Sequence, residues 1–352
     1  MGKLSLLFGA VLSGLALVSA HDESISVPAY APIPTVAVGP PINNVTGWRV
    51  ESFGHGAYMV TDNQYNGIFL VSDKGVILVD APPTLGHRLL HAVGNTTNLP
   101  ITHLVYSHAH ADHIGAASLI GVKPQPKVTR IAHRLTKEIL ADVNDPGRPL
   151  PDVIFDDNYT LRVGNQTLEL SYKGLNHQPG NIFIYAPVQK VLMVVDIIFP
   201  GWAPFAYINQ AEFVPGVITA HDQILALPFE HFVGGHLTRS GNRADVQRGK
   251  DYLTDLKKNC QDAITLSTQA GSAIYAGTII GAVDKADPGN PWAAFKTYLD
   301  LVTNYCANVT TEKWLGNLGA VDVWAFENAY AMVESLRIEW NFLGPFGVQP
   351  GV

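Results

Sequence analysis

The segment at residues 106–113 restricts how this chain can fold more than any other part of the sequence. It reads YSHAHADH, which places three histidines and one aspartate within six residues, directly after an apolar, strand-like stretch. Residues two apart in an extended segment point the same way, so His108 and His110 can bind one metal ion. A turn in the following residues would direct Asp112 and His113 to a neighbouring position. The chain is therefore expected to fold so that a buried strand ends at a metal site.

The rest of the sequence divides into strand-like and helix-like segments. Short apolar runs separated by Gly, Asp and Asn predict strands over residues 48–53, 57–61, 67–72, 75–80, 101–107, 128–132, 153–155, 160–163, 167–173, 181–186, 191–196 and 232–234. Helical spacing of apolar residues predicts helices over residues 84–93, 114–119 and 135–143, and a helical chain from residue 244 on. This order predicts an α/β fold, an αββα sandwich with a C-terminal helical extension.

The first 46 residues precede this pattern and differ from it in composition. Residues 1–20 combine Lys3, an apolar stretch and a small-residue end at Ala20, which is typical of a secretory signal peptide; a signal anchor is the alternative. Residues 21–46 hold five prolines and are expected to form an extended leader. We therefore divide the chain into a signal peptide (1–20), a leader (21–46), a sandwich domain (47–243) and a helical subdomain (244–352).

Sequons and cysteines also indicate secretion. Five N-x-T sequons begin at Asn44, Asn95, Asn158, Asn165 and Asn308. Cys260 and Cys306 fall in two helix-like segments, and an oxidising compartment would allow a disulfide between them; two buried thiols are the alternative. We expect a secreted, extracellular glycoprotein of eukaryotic, fungal origin.

Composition excludes several classes of protein. A formal charge of −7, from 23 basic and 30 acidic residues, argues against nucleic acid as a partner. Two cysteines are too few for a disulfide scaffold or a four-cysteine zinc module. The apolar stretch near the N-terminus is shorter than a membrane span, so we expect no membrane partner. A small-molecule substrate remains, and the oligomeric state stays open.

The segment HAHADH at residues 108–113 resembles the H-x-H-x-D-H motif of the metallo-β-lactamase superfamily. Further landmarks follow in the family's order, each near the end of a strand-like run: Asp80, His177, Asp196 and His236. The resemblance covers about residues 48–240, which include most of the sandwich domain, and marks that domain as catalytic.

The resemblance implies two metal ions, which we expect to be two Zn²⁺, with iron or manganese as alternatives. In this arrangement one ion is bound by His108, His110 and His177. The second ion is bound by Asp112, His113 and His236, and Asp196 bridges the two. Three protein ligands for each ion leave positions open for water, which is typical of a catalytic site.

Such a site implies hydrolysis by a metal-bound hydroxide. Asp112 would orient the water or carry its proton, and it is our candidate catalytic residue. The β-lactamases of the family generally carry Cys or Ser at the position of Asp196, whereas an Asp there is typical of its lactonases, thioesterases and phosphodiesterases. We therefore expect a lactonase-like enzyme that opens a small cyclic ester or amide. The alternatives are an iron-dependent oxidoreductase on the same fold, a thioester or phosphoester hydrolase, and a non-catalytic metal-binding member.

Other residues receive weaker interpretations. Asp80 is expected to fix a metal ligand by a hydrogen bond. Residues 197–207 are apolar and either line a substrate pocket or pack in the core, and Tyr207 is a candidate oxyanion donor. The C-terminal aromatic residues are expected in the core: Trp292, Phe295, Tyr298, Trp314, Trp324, Phe326 and Trp340. No role is expected for His55, His87, His91, His103, His133, His221 and His231.

Overall fold

The computed structural model describes residues 28–123 and 125–347. The predicted signal peptide and the start of the predicted leader lie outside the described residues. From Ala31 on, the described residues form one compact unit. The division of the chain at residue 243 therefore stays a prediction.

Seven strands form the first sheet, with parallel and antiparallel pairs. In sheet order they are β1 (Arg49–Gly54), β2 (Ala57–Thr61), β3 (Asn66–Ser72), β4 (Gly75–Val79), β5 (Ile101–Val105), β6 (Thr129–His133) and β7 (Val153–Phe155). Neighbours from β1 to β4 are antiparallel, and neighbours from β4 to β7 are parallel. The carboxyl ends of β4, β5 and β6 therefore meet at one edge of the sheet.

Five strands form the second sheet. They are β8 (Asn158–Val163), β9 (Gln166–Ser171), β10 (Phe183–Ala186), β11 (Val191–Val194) and β12 (His231–Val233), and they lie in the order β12-β11-β10-β9-β8. The pairs are antiparallel except for β11 and β12, which are parallel. The segments that follow β11 and β12 consequently leave the sheet side by side.

Helices connect and cover the sheets. They are α1 (His87–Thr96), α2 (Ala111–Ile114), α3 (Arg134–Val143), α4 (Ala206–Gln210), α5 (Val214–Leu225), α6 (Arg243–Leu266), α7 (Ala276–Ala286), α8 (Pro291–Trp314) and α9 (Ala325–Ile338). Single 3-10 turns lie at Thr35–Ala37, Ala117–Leu119 and Gly344–Phe346. One element is unusual, because α4 is a left-handed turn in which Tyr207, Ile208 and Asn209 have φ of 57°, 55° and 61°.

The buried apolar residues form three layers. Strand alternation turns Ile184 and Met193 into the space between the sheets, where they meet residues of the first sheet such as Leu70. The opposite faces of β10 and β11 pack against α5, α6, α8 and α9. The outer face of the first sheet is covered by α1 and α3, with Leu89 and Leu140 in the contact. This arrangement confirms the predicted αββα sandwich with C-terminal helices.

Most predicted elements are present with shifted ends, and two were missed. No element was predicted at the helix α5, and the left-handed turn α4 begins at the end of residues 197–207, for which only apolar character was noted. No helix within residues 28–123 and 125–347 combines the length and the apolar composition that a membrane span requires.

Candidate metal centre

The seven predicted metal ligands come together where strands of both sheets end. His108 and His110 follow β5, and His177 lies in the loop between β9 and β10. Asp196 follows β11, and His236 follows β12. The remaining two, on α2, belong to the same cluster. The described residues thus contain two adjoining groups of side chains whose nitrogen and oxygen atoms suit a metal ion.

The first group consists of His108, His110, His177 and Asp196, whose ligand atoms all lie within 4.8 Å of one another. Nε2 of His177 is 2.9 Å from Nδ1 of His110. Oδ2 of Asp196 is 3.4 Å from Nε2 of His177 and 3.8 Å from Nε2 of His108. Three imidazoles and one carboxylate oxygen therefore face a common point.

The second group consists of Asp112, His113 and His236. Nε2 of His113 is 3.0 Å from Nε2 of His236, and Oδ2 of Asp112 is 3.5 Å and 3.6 Å from these two atoms. Asp196 reaches this group as well, with Oδ2 3.0 Å from Nε2 of His113 and Oδ1 3.1 Å from Nε2 of His236. Its carboxylate lies between the two groups, where a bridging ligand belongs.

Burial keeps three of the histidines neutral. It lowers the pKa of His110 to about 4 and holds the pKa of His177 below its ordinary value and that of His108 well below it. Neighbouring histidines add to the lowering at His108 and His110. Because a metal ion binds the neutral imidazole, these three side chains are in the correct protonation state at neutral pH.

His113 and Asp196 form a buried ion pair. Burial lowers the pKa of His113, but the charge of Asp196 and the hydrogen bond to it outweigh that effect and raise the pKa to about 9. At Asp196 burial raises the pKa. The charge of His113 outweighs that effect and holds the pKa of Asp196 well below its usual range.

The donor set fits a pair of divalent ions. Nε2 of His108 is buried and has no hydrogen-bond partner among the described residues, although it faces the other donors. Imidazole and carboxylate are common zinc ligands, and metal–ligand bonds of about 2.0–2.1 Å place neighbouring donors roughly 3.3 Å apart in a tetrahedron. The separations given above are close to that value. The cluster therefore suggests divalent-metal binding.

Hydrogen bonds hold the loop that carries the HAHADH motif. The backbone N–H of Ala109 donates to Oε1 of Gln178 (3.0 Å), and its carbonyl accepts from Nη1 of Arg148 (2.6 Å). The carboxylate of Asp80 accepts from the backbone N–H of Ser107 at 2.8 Å. Asp80 was expected to bond a metal ligand directly, but it fixes the backbone one residue before His108 instead.

The left-handed turn α4 holds two of the predicted ligands. Nδ1 of His177 donates to the backbone carbonyl of Asn209 (2.7 Å), which leaves Nε2 free to bind metal. The side-chain amide of Asn209 donates to the backbone carbonyls of Asp196 (3.1 Å) and Ile197 (3.2 Å). Its oxygen accepts from the N–H of Phe205 (2.7 Å). The residue was not singled out from the sequence, because no local pattern places it beside a ligand 32 positions away.

A cavity of about 750 Å³ opens onto the two groups. Its lining residues are Gln64, Tyr65, His110, Ala111, Asp112, His177, Asp196, Phe199, Trp202, Ala203, Phe205, Asn209, Gln210, His236, Leu237, Ala320 and Trp324. The described lining includes no Lys or Arg. It is thus an aromatic cavity with the candidate metal centre at its floor.

One sequence interpretation of this region needs correction. Tyr207, the candidate oxyanion donor, is 49% exposed and does not line the cavity. The tyrosine beside the cluster is Tyr65, whose ring centroid lies 4.6 Å from that of His236. Residues 197–207 serve both expected purposes, since Ile197 is buried in the core and Phe205 lines the cavity.

Of the aromatic residues in the C-terminal part, some lie in the core and others do not. Tyr298 and Trp314 lie in the core, as predicted. Trp324 lines the cavity, and Trp292 is 77% exposed, so the expectation of a core position is wrong for both. None of the seven histidines without an expected role belongs to either group of the cluster.

Comparison with known protein families matches this sequence to one of them. A family model described as Metallo-beta-lactamase superfamily matches residues 60–239, which are 180 of the 352 residues. The matched range contains all seven clustered side chains and ends shortly before α6. The C-terminal helices lie outside it.

Three curated relatives share part of the chain. The alpha subunit of 2,4-dinitroanisole O-demethylase from Nocardioides sp. (strain JS1661) is 27% identical over 191 residues, 53% of this chain and 56% of that protein. Metallo-beta-lactamase type 2 of Bacillus cereus is 32% identical over 132 residues, 36% of this chain and 48% of that protein. The probable metallo-hydrolase YqgX of Bacillus subtilis (strain 168) is 26% identical over 205 residues, 53% of this chain and 90% of that protein. The chain spans about half the length of the first two relatives.

Proposed function

Because this chain belongs to the metallo-beta-lactamase superfamily, we propose that it is a dinuclear zinc hydrolase that opens a small, uncharged cyclic ester or amide. The family fold and the names of the relatives support a metal-dependent hydrolase. The observation that carries the proposal is the convergence of seven imidazole and carboxylate side chains at the floor of one cavity. A purely structural role would not require so many donors at the base of an open cavity.

Each group of the cluster has a separate task in this proposal. His108, His110 and His177 would hold one zinc ion, Asp112, His113 and His236 would hold the other, and Asp196 would serve both. When bound, the two ions lower the pKa of a water molecule and polarise the carbonyl group of the substrate. Metal binding would require His113 to lose a proton, because an imidazole that binds a metal ion cannot carry a proton on each of its two nitrogens.

Asp112 acts as the proton acceptor. Its side chain is 42% exposed and lies at the cavity, so a water molecule can reach it. Burial and the nearby charge of Asp112 raise the pKa of Tyr65 to about 12, which keeps the phenol protonated and able to donate a hydrogen bond to that carboxylate. Tyr65 thereby orients Asp112 toward the cavity.

The lining of the cavity favours a neutral substrate. Outside the candidate metal centre, the described lining offers no Lys or Arg to a substrate that carries several phosphates or carboxylates. A lactone or lactam needs no cationic side chain there. The cavity therefore favours a small cyclic ester or amide over a polyanionic substrate.

We also propose that the protein is secreted. The disulfide between Cys260 and Cys306 is consistent with an oxidising compartment. All five sequon asparagines are exposed and accessible to a glycosyltransferase. Secretion would place the substrate outside the cell.

A substrate panel tests the proposal. The zinc-loaded protein is assayed on a lactone, a β-lactam and a phosphodiester, together with His110→Ala and the matched surface variant His91→Ala. We expect turnover of the lactone, a loss of about 100-fold or more in His110→Ala and no change in His91→Ala. Equal rates for the wild type and His110→Ala, or a protein that retains iron and excludes zinc, would contradict it.

A further inference from the structure

We propose that the C-terminal extension completes one wall of the substrate site with Trp324 and that this wall binds a neutral aromatic ring. The turnover measurement rests on the proposed function, whereas the binding measurement does not. We call the four side chains Phe199, Trp202, Phe205 and Trp324 the aromatic wall; all four line the cavity. Three follow the bridging position Asp196 in the chain, and the fourth comes from the segment before α9.

The aromatic wall begins beside the candidate metal centre and continues to more exposed rings. The ring centroid of Phe199 lies 5.2 Å from that of His236. Farther out, the rings of Phe205 and Trp324 pack edge to face at a centroid distance of 4.8 Å. Phe205 nevertheless remains 42% exposed. A ring held by a neighbour yet open on the cavity side offers an apolar surface to a bound molecule.

The indole of Trp202 is fixed with its polar atom turned away from any ligand. Its Nε1 donates to the backbone carbonyl of Ala37 at 3.0 Å. Its backbone pairs with Gly319, which lies in the C-terminal part. The indole hydrogen bond is thus satisfied within the protein, and the ring is left for stacking or edge contacts.

The helix α9 makes the wall rigid through one buried residue, Asn328. Its side-chain oxygen accepts from the backbone N–H of Ile208 (2.7 Å), and its nitrogen donates to the carbonyl of Pro204 (2.8 Å). These contacts fix the backbone on both sides of Phe205. Since the wall is ordered in advance, a ring that binds there loses little free energy to ordering the protein.

The charged groups of the cavity lining determine which aromatic ligands can bind. The ionisable groups that line the cavity are Asp112, Asp196, Tyr65, His110, His177 and His236, and the described lining has no Lys or Arg. Away from the candidate metal centre, a carboxylate on the ring would have no cationic side chain as a partner among the described lining residues. Gln64 and Gln210 offer neutral amides to a polar substituent. The site therefore suits an uncharged aromatic lactone or lactam.

A pair of lactones tests the role of the wall in turnover. Isochroman-3-one and δ-valerolactone share a six-membered lactone with an alcohol leaving group and differ in the fused benzene ring. We expect a preference for isochroman-3-one in kcat/KM and a loss of about tenfold of that preference in Trp324→Ala, mainly through KM. Trp324→Phe should retain most of the preference, Phe205→Leu should lower it, and the exposed control Trp292→Ala should keep it. An unchanged ratio in both Trp324→Ala and Phe205→Leu would overturn the proposal.

Binding without turnover supplies the independent measurement. Chelator-treated protein is dialysed to equilibrium against coumarin or against coumarin-3-carboxylate. We expect coumarin to bind, the carboxylate to bind at least about tenfold more weakly, and Trp324→Ala to weaken coumarin binding by about tenfold. If neither lactone is hydrolysed but coumarin binds in this way, the proposed function fails and the aromatic subsite stands. Coumarin binding that Trp324→Ala leaves unchanged contradicts the subsite.

Discussion

Asn209 connects the candidate metal centre to an unusual backbone conformation. Its carbonyl orients His177, and its side chain holds the backbone that follows Asp196. The residue has a positive φ, as do Tyr207 and the β-branched Ile208, for which such a conformation costs free energy. The hydrogen bonds of Asn209 and Asn328 offset this cost. The strain is therefore located where it positions a ligand.

The first prediction concerns these hydrogen bonds. Asn209→Ala removes three side-chain hydrogen bonds and should lower zinc affinity about 10- to 100-fold. Competition with a chelator measures the affinity. Asn209→Gly tolerates the positive φ but lacks the amide, so it separates the two effects. If Asn209→Gly binds zinc like the wild type, the side-chain hydrogen bonds are not needed.

His221 gives a pH dependence that is separate from the metal centre. It is buried in α5, and its Nδ1 donates to the carbonyl of Val217 at 2.8 Å. Burial lowers its pKa from 6.5 to about 4. Between these two values the unfolded chain binds a proton that the folded chain does not. The free energy of unfolding therefore falls as the pH drops through this range.

The second prediction follows from this sign. As the pH falls from 6.5 to 4, His221 should lower the free energy of unfolding by about 3 kcal/mol. His221→Gln removes the titration, so its stability should fall less steeply with acid than that of the wild type. Urea unfolding at several pH values measures the difference. Parallel pH profiles for the two proteins would contradict the assignment.

Among the structural elements, α6 and α8 are joined covalently. The disulfide links Cys260 to Cys306 across 46 positions, and both cysteines are buried. The prediction of this bond from two cysteines in helix-like segments is confirmed. Because the crosslink closes a long loop in the unfolded chain, it should stabilise the extension that carries the aromatic wall.

The third prediction concerns this crosslink. Replacing both cysteines, Cys260→Ser with Cys306→Ser, should lower the free energy of unfolding by about 3–4 kcal/mol. Reduction with dithiothreitol should lower the free energy of unfolding of the wild type by a similar amount and leave that of the double variant unchanged. Urea unfolding with and without reductant checks both. A wild type that does not respond to reduction under unfolding conditions would contradict the crosslink.

Element prediction succeeded where local pattern and tertiary structure agree. Strands such as β3 and β4 are apolar runs bounded by turn residues, and both were expected. The helix α5 was missed because its sequence, VPGVITAHDQIL, holds Pro, Gly and β-branched residues, which lower helix propensity. Packing of Val217 and Ile224 in the core holds it instead. The left-handed turn α4 has no local signal, since it depends on Asn328 from a distant helix.

The assembled protein shows why the candidate ligands could be predicted and the cavity wall could not. The HAHADH motif marks four ligands directly, whereas His177, Asp196 and His236 were assigned through the family resemblance, supported by the strand-like run before each. Trp324 carries no such signal, because only the docking of the C-terminal helices brings it to the cavity. An aromatic residue near a helix end is otherwise expected in the core, as Tyr298 is.

Anomalous scattering from a crystal grown with zinc tests the central claim most directly. Data collected on both sides of the zinc absorption edge should show two neighbouring peaks. One should lie among His108, His110 and His177, and the other among Asp112, His113 and His236, with Asp196 between them. In a crystal of Asp196→Ala, at least one peak should weaken. The account is wrong if the wild-type crystal shows no peak at this cluster, or if its zinc lies elsewhere on the protein.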